Sequence, residues 1–418
     1  MKAAIRLPGG LLVMVVMLAA SRVCRSQTYS LIDLGSLPDH LHSRALGIGN
    51  HGAVVGSATN DLSLGPDRAF LVDSGAVIDL GTLGGDTSTA HAVGGDGTIV
   101  GQASAEPGPA APVRAFTWFN GVIGGLGTLG GNSSWALDIN AAGVVVGGSR
   151  VAGDLVFHPC RWVNGVAEDL GLLPDHWVGS ARAVNPGGTI VGFSTSMFSE
   201  ARAVLFADRP VDLGTLPGGC CSEAFDVNDG DKVVGFSWVS GASHRHATLW
   251  DGGTITDLGT LPGGGSSVAY GINTVGKVVG MSWTTMQRPG DPHACLWHQD
   301  TIVDLNDVLD GPSDWVLVEA RAIDDAGRIA VAGTDSAQGV THALLLTPVP
   351  AVPGDFNGDR VVDTADYAVF FDCIAGPDRE PAPQSVAAAA CLASFDREPD
   401  RDVDLRDLAD LFQAIAGN

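Results

Sequence analysis

Apolar residues along this chain come in short pulses rather than long stripes. From Ser30 to Leu346 each pulse is strand-length and bounded by glycine-rich turns, which predicts β structure rather than helix. One full period reads Asp257-Leu258-Gly259, the turn Leu261-Pro262-Gly263-Gly264, then Ala269-Tyr270-Gly271-Ile272-Asn273, Gly276-Lys277-Val278-Val279-Gly280 and His293-Ala294-Cys295-Leu296-Trp297. The Asp-Leu-Gly element returns at Asp33, Asp79, Asp169, Asp212 and Asp257, with degenerate copies at Gly125-Leu126-Gly127 and Asp304-Leu305-Asn306. Its leucines are 43 to 47 residues apart, the period of a stacked repeat architecture. Seven copies of four pulses predict a seven-bladed β-propeller of four-stranded blades. The first element is Asp33-Leu34-Gly35, and the last is His342-Ala343-Leu344-Leu345-Leu346 with no partner after it. The N-terminal strand is therefore expected to complete the last blade, which removes free sheet edges. An open β-solenoid is the alternative, but it does not account for the missing last strand.

Several pulses match in order and spacing: Ile139-Asn140, Val184-Asn185 and Val227-Asn228; Val54-Val55-Gly56, Val145-Val146-Gly147 and Val233-Val234-Gly235; Arg68-Ala69-Phe70, Arg114-Ala115-Phe116 and His246-Ala247-Thr248. They resemble the extracellular HAF-repeat family, named for a His-Ala-Phe pulse that follows a Val-Val-Gly element. The resemblance covers about three quarters of the chain and implies no defined activity. Arg replaces His at Arg68, Arg114 and Arg202, and Cys295, Thr248 or Leu344 replaces Phe. His246, His293 and His342 occupy one repeat position and read as strand-edge hydrogen-bonders, each in its own blade. The repeated Asp reads as an Asx turn rather than as a ring of carboxylates around an axial channel. Trp118, Trp162, Trp250 and Trp297 share a position that implies packing between blades, while Trp135, Trp177, Trp238, Trp283 and Trp315 fall off that register and are candidates for stacking surfaces. His244-Arg245-His246 reads as a solvated loop, and no catalytic constellation stands out.

After Leu346 the pattern changes. Residues 347–353 form a proline-rich linker of extended character. Then Asp355, Asn357, Asp359, Asp363 and Asp366 place oxygen side chains at positions 1, 3, 5, 9 and 12 of a loop in which Val361 offers its carbonyl at position 7. A second copy carries Asp396, Glu398, Asp400, Asp402, Asp404 and Asp407. Clustered carboxylates repel one another unless a hard cation is bound, so the pair predicts two Ca2+ sites. Each loop runs into an amphipathic helix, marked by Tyr367, Phe370, Phe371 and Ile374 and by Leu408, Leu411, Phe412 and Ile415. The duplicated loop-and-helix unit, residues 354–418, is similar to a type I dockerin domain. That resemblance implies two Ca2+ ions, a cohesin partner, and partner selection by Thr364 and Ala365 in one copy and Leu405 and Arg406 in the other. Position 6, usually Gly, is Arg360 and Arg401, which strains the turn and weakens Ca2+ affinity.

The first 26 residues read as a secretory signal: Lys2 and Arg6, then the apolar run Leu11 to Ala20, then small residues for cleavage. The run is too short to span a bilayer, and Arg22-Val23 before Cys24 argues against a lipid anchor. The expected location is secreted, extracellular or cell-surface, where Cys373 and Cys391 form the best disulfide pair. The pairing of Cys160, Cys220, Cys221 and Cys295 stays open. A net charge of −24 disfavours nucleic acid and anionic membranes as partners.

The expected architecture is thus mainly β, with repeats over residues 27–346 and a small α-helical calcium-loop domain behind them. The expected function is non-catalytic: the propeller recognises a polysaccharide or protein while the C-terminal module docks to a cohesin-type partner. A propeller glycoside hydrolase or polysaccharide lyase carried by a dockerin is the alternative, and a purely structural surface protein is a third. An enzyme would break the repeat symmetry on the axial face with carboxylates or a His, and no such residues can be named from the repeats alone.

Overall fold

The computed structural model describes residues 27–62, 67–108, 111–196, 200–239, 244–285, 292–299 and 301–350. The signal stretch, all twelve Ca2+ ligand positions, Thr364, Ala365, Leu405, Arg406 and the Cys373–Cys391 pair lie outside the described residues. Thr28–Val349 form one compact unit built from seven antiparallel sheets of four strands each. It is a seven-bladed β-propeller. Within blade 1 the chain runs outward through His42–Ile48, Val54–Thr59, Arg68–Asp73 and Ala76–Asp79. The innermost strands of the other blades are Ser88–Val93, Gly130–Ile139, His176–Val184, Ser222–Val227, Ser267–Ile272 and Val316–Ile323. Each lies beside the innermost strand of the next blade, and the seventh lies beside the first.

Tyr29–Asp33 pairs with Val340–Pro348 and so supplies the outermost strand of blade 7. Tyr29 is fully buried at this seam. The last strand runs two residues into the stretch read as linker.

The core is a set of pads between neighbouring blades, because both faces of every blade are covered. Val55, Ala69 and Leu71 of blade 1 meet Ala90, Ile99 and Phe116 of blade 2. Trp162, Trp250 and Trp297 are buried in such pads and Trp118 packs against one. Cys160 and Cys295 take the place that Phe70 and Phe116 fill elsewhere, as buried free thiols.

Two polar devices repeat around the ring. In the outer half, the third strand's His or Arg pairs with the Asp of Asp-Leu-Gly on the outermost strand: Arg68–Asp79 at 2.7 Å, His158–Asp169 at 2.7 Å, Arg202–Asp212 at 2.9 Å, His246–Asp257 at 2.8 Å, His293–Asp304 at 2.5 Å and His342–Asp33 at 2.9 Å. The same Asp side chains accept from the backbone N–H two residues on, at Gly35, Gly81, Gly171, Gly214, Gly259 and Asn306. They cap turns on the outer rim, far from any axial ring. In blade 2 Gly125 takes the Asp place, and Arg114 donates to the Gly131 carbonyl instead.

At the end of the ring where the innermost strands stop, Asn140, Asn185, Asn228 and Asn273 are buried. Each Nδ2 donates to the backbone carbonyl of the equivalent residue in the next blade, Asn185, Asn228, Asn273 and Asp324, at 3.0 to 3.2 Å. Each Oδ1 accepts N–H bonds inside its own turn, as Asn228 does from Gly230 and Lys232. Arg328 closes the circle, bonding Asp324 at 2.6 Å and the Asn50 carbonyl of blade 1 at 2.6 Å.

Candidate axial site

The innermost strands share one irregularity. In all seven, the pairing with the second strand slips by one residue after an alanine: Ala45, Ala90, Ala136, Ala181, Ala224, Ala269 and Ala320. Those alanines are fully buried. The residue after each is the extra one of a β-bulge, left without a cross-strand partner and free to be aimed elsewhere. The glycine of Val-Val-Gly makes room for the bulge. At Gly56, Gly101, Gly147, Gly192, Gly235 and Gly280 a Cβ would overlap the backbone oxygen of the facing innermost strand, from Arg44, Thr89, Trp135, Ser180, Glu223 and Val268 respectively.

The bulged residues are Leu46, His91, Leu137, Arg182, Phe225, Tyr270 and Arg321. Those of blades 4 to 7 form a continuous run of contacts. Phe225 and Tyr270 have ring centroids 5.3 Å apart, the Arg182 guanidinium lies 5.2 Å from the Phe225 ring, and that of Arg321 lies 4.3 Å from Tyr270. His91, in blade 2, feels the charges of Arg182 in blade 4 and Arg321 in blade 7, although it adjoins neither blade. One level nearer the start of the strands stand Arg44, Thr89, Trp135, Ser180, Glu223, Val268 and Glu319. Here Glu223 pairs with Arg182 at 3.5 Å, Glu319 pairs with Arg321 at 3.0 Å, and Trp135 donates to the Ser180 hydroxyl at 3.2 Å.

The electrostatics are those of a partly desolvated mixed cluster. Burial first, and then the two guanidinium groups, push His91 down to about 4, so its imidazole is neutral near pH 7. Burial raises Glu223 against the pull of Arg182 and Arg245, and lowers Arg182 against the pull of Glu223. Desolvation thus outweighs the attraction within that pair. Burial and the neighbouring Glu319 raise Tyr270. Arg245 stacks over Phe236 at 4.7 Å and Trp283 at 5.8 Å. It belongs to the strand Arg245–Asp251, in which His246 holds Asp257, so Arg245 and His246 are not the solvated loop that the sequence implied.

Toward the other end, Asp138 and Asp226 accept from the backbone N–H of Val184 and Ile272 in the next blade, each at 2.8 Å. Burial pushes Asp138 up to about 7 and Asp226 up to about 6. A separate cavity of about 480 Å3, lined by Gly187, Thr189, Trp250 and Asp251 among others, opens between blades 4 and 5. Its Asp231 is already engaged by Asn185 and Thr189.

The repeats alone name no carboxylate or His for the axial face, and the structure supplies them. His91, Glu223, Glu319, Arg182, Arg321 and Tyr270 converge there, and the signal was present: a constant Ala, a varied residue, then Ala, Gly or Asp, in every repeat. Of the off-register tryptophans, Trp135 joins this wall, Trp283 lies under Arg245, Trp315 stacks against His342 at 5.1 Å, and Trp177 is 55% exposed. The exposed Cys220 and its neighbour Cys221 are free thiols with sulfurs 2.8 Å apart, on the turn that leads to Glu223. Among the described residues no group of three or more His, Cys, Asp or Glu side chains is placed to hold a metal ion. No helix among them is long and apolar enough to cross a membrane.

No protein-family model matches the chain, and no curated protein sequence matches it. Among solved structures it is similar to the β-propeller domain of the Trilobed protease from Pyrococcus furiosus, at 11% identity over 68% of this chain and 100% of that one, with a TM-score of 0.35. It is also similar to a gluconolactonase from Xanthomonas campestris, at 13% identity over 77% and 90% with a TM-score of 0.37, and to streptogramin B lyase, at 9% over 77% and 98% with a TM-score of 0.43. The likeness is one of fold alone.

Proposed function

We propose that this is an exported, non-catalytic binding and scaffold protein. Its propeller holds a ligand at the axial cluster, and its C-terminal segment docks to a cohesin-type partner through two Ca2+ loops. The observation that carries the binding role is the bulged position. The alanine before it is fully buried in every blade, while the bulged residue changes from Leu to His, Arg, Phe or Tyr. Side chains kept only for stability would be apolar there, since paired charges in a desolvated site contribute little to folding. The docking role is supported by the two acidic loops in register, Asp355 to Asp366 and Asp396 to Asp407, and by the helix stripe after each.

A second reading, a glycoside hydrolase or polysaccharide lyase, draws on Glu223 and Glu319, each paired with an axial arginine, and on His91, which feels both arginines. The purified full chain should be incubated with neutral and acidic polysaccharides, with binding followed by thermal shift and cleavage by new reducing ends or unsaturated products. Binding without cleavage supports the scaffold reading, and turnover abolished by Glu223→Gln or Glu319→Gln replaces it with the enzymatic one. Calorimetric titration should find two Ca2+ sites that Asp355→Ala with Asp396→Ala removes. Absence of Ca2+ heat would sink the docking half alone.

A further inference from the structure

The axial cluster also carries information about the chemistry of its ligand. Arg182 lies 5.1 Å from the ring of Phe193 and 5.2 Å from that of Phe225, and Arg321 lies over Tyr270. Such stacking fixes the plane of a guanidinium and directs its N–H donors sideways. Each has one carboxylate, Glu223 or Glu319, on its Nη2. The Nε of each is buried and has no hydrogen-bond acceptor among the described residues. A guanidinium presents five donors in a rigid fork, and a buried donor left unmet costs free energy, so two such atoms on two converging arginines call for an explanation.

Placement of charge is the second observation. The chain has 23 Lys and Arg against 47 Asp and Glu, yet Arg44, Arg182, Arg245 and Arg321 all sit in or beside two levels of the axial wall that contribute only Glu223 and Glu319 as acids. Arg321 adds to the burial that disfavours the charge on Arg182. Like charges brought together in a partly desolvated site are relieved by an anion between them, and a pair of planar forks suits an oxygen triad or a carboxylate.

We propose, resting on the reading of the axial cluster as a binding site, that it takes a ligand through an oxyanion held between Arg182 and Arg321: a sugar carboxylate, or a sulfate or phosphate group. His91, which feels the charge of both guanidinium groups, adds a hydrogen bond without adding charge.

The test is calorimetric titration of the full chain with galacturonate, inorganic sulfate and inorganic phosphate, and with galactose as the uncharged counterpart. Galacturonate or one of the inorganic anions is expected to bind, more weakly as sodium chloride is raised, while galactose gives no heat. Arg182→Gln and Arg321→Gln should each weaken binding by about tenfold or more, and Arg182→Lys and Arg321→Lys less, since charge is kept but the fork is lost. Melting temperatures of the four variants, close to that of the parent, separate a lost site from a lost fold. Preference for galacturonate over sulfate and phosphate assigns a sugar acid, and the reverse assigns an inorganic or esterified oxyanion. Galactose binding unaffected by the Gln variants would overturn the oxyanion inference while leaving the axial binding role intact. Absence of heat from all four probes, or equal affinity in parent and Gln variants, would overturn the oxyanion site.

Discussion

The outer and inner edges of a blade obey different rules. On the outer edge the seven copies nearly agree: a His or Arg on the third strand meets an Asp on the fourth, and that Asp caps its own turn. On the inner edge the backbone agrees as closely, with the same bulge after the same buried alanine, but the displayed side chain differs from blade to blade. Uniform demands of packing keep the outer residues alike. The bulge frees one residue per blade from those demands, and there the chain is free to acquire a ligand-specific wall.

The largest test of the shared framework removes the strand Tyr29–Asp33. Its loss exposes the unpaired edge of Val340–Pro348 and the pocket of fully buried Tyr29, so the cooperative thermal transition is expected to disappear or to fall further than with any single substitution. A melting curve like the parent's would mean that closure contributes nothing. Next in size is Asn228→Ala, which leaves the Gly230 and Lys232 N–H groups and the Asn273 carbonyl without their partner. A loss of about 2–3 kcal/mol in urea denaturation is expected.

The pH dependence bears on the inner edge. Asp138 at about 7 and Asp226 at about 6 both titrate above their unfolded value. Between roughly pH 4 and pH 7 the folded chain therefore binds protons that the unfolded chain does not, and their contribution to stability falls as pH rises through that window. The stability of the parent relative to Asp138→Asn with Asp226→Asn should accordingly be greater at pH 5 than at pH 8. A difference independent of pH would show that these carboxyls do not titrate there.

Smallest, and confined to the outer edge, is Gly125→Asp. A Cβ at Gly125 meets only Leu83 at an ordinary 3.5 Å, and the change offers Arg114 the partner its blade lacks. A gain of about 0.5 kcal/mol in urea denaturation is expected, erased by high salt, as for other exposed pairs. Destabilisation instead would show that the clamp is not a transferable part of the repeat.

The periodicity of Asp-Leu-Gly, the strand-length pulses and the unmatched last element were enough to read seven blades and their closure, because each reflects a local requirement: a turn that needs an Asp, a strand that needs alternating burial, an edge that needs a partner. The reading of Asp-Leu-Gly as turn chemistry holds residue by residue. The axial wall was not read, although Tyr270 and Arg321 stand in plain view inside the repeats. Alternation of apolar and polar residues marks such a position as ordinary strand surface, and only the slip in pairing distinguishes it.

Sequence by itself thus determined the number of blades, their strand count and the seam, since these depend on contacts within one period or between its two ends. Tertiary structure decided which seven residues share an axis. Arg182, Phe225, Tyr270 and Arg321 are separated by about one repeat each along the chain, and His91 is farther still, so nothing local relates them. Closure of the ring brings those positions to a single line, where charge, burial and an unmet N–H acquire a meaning that no one repeat contains.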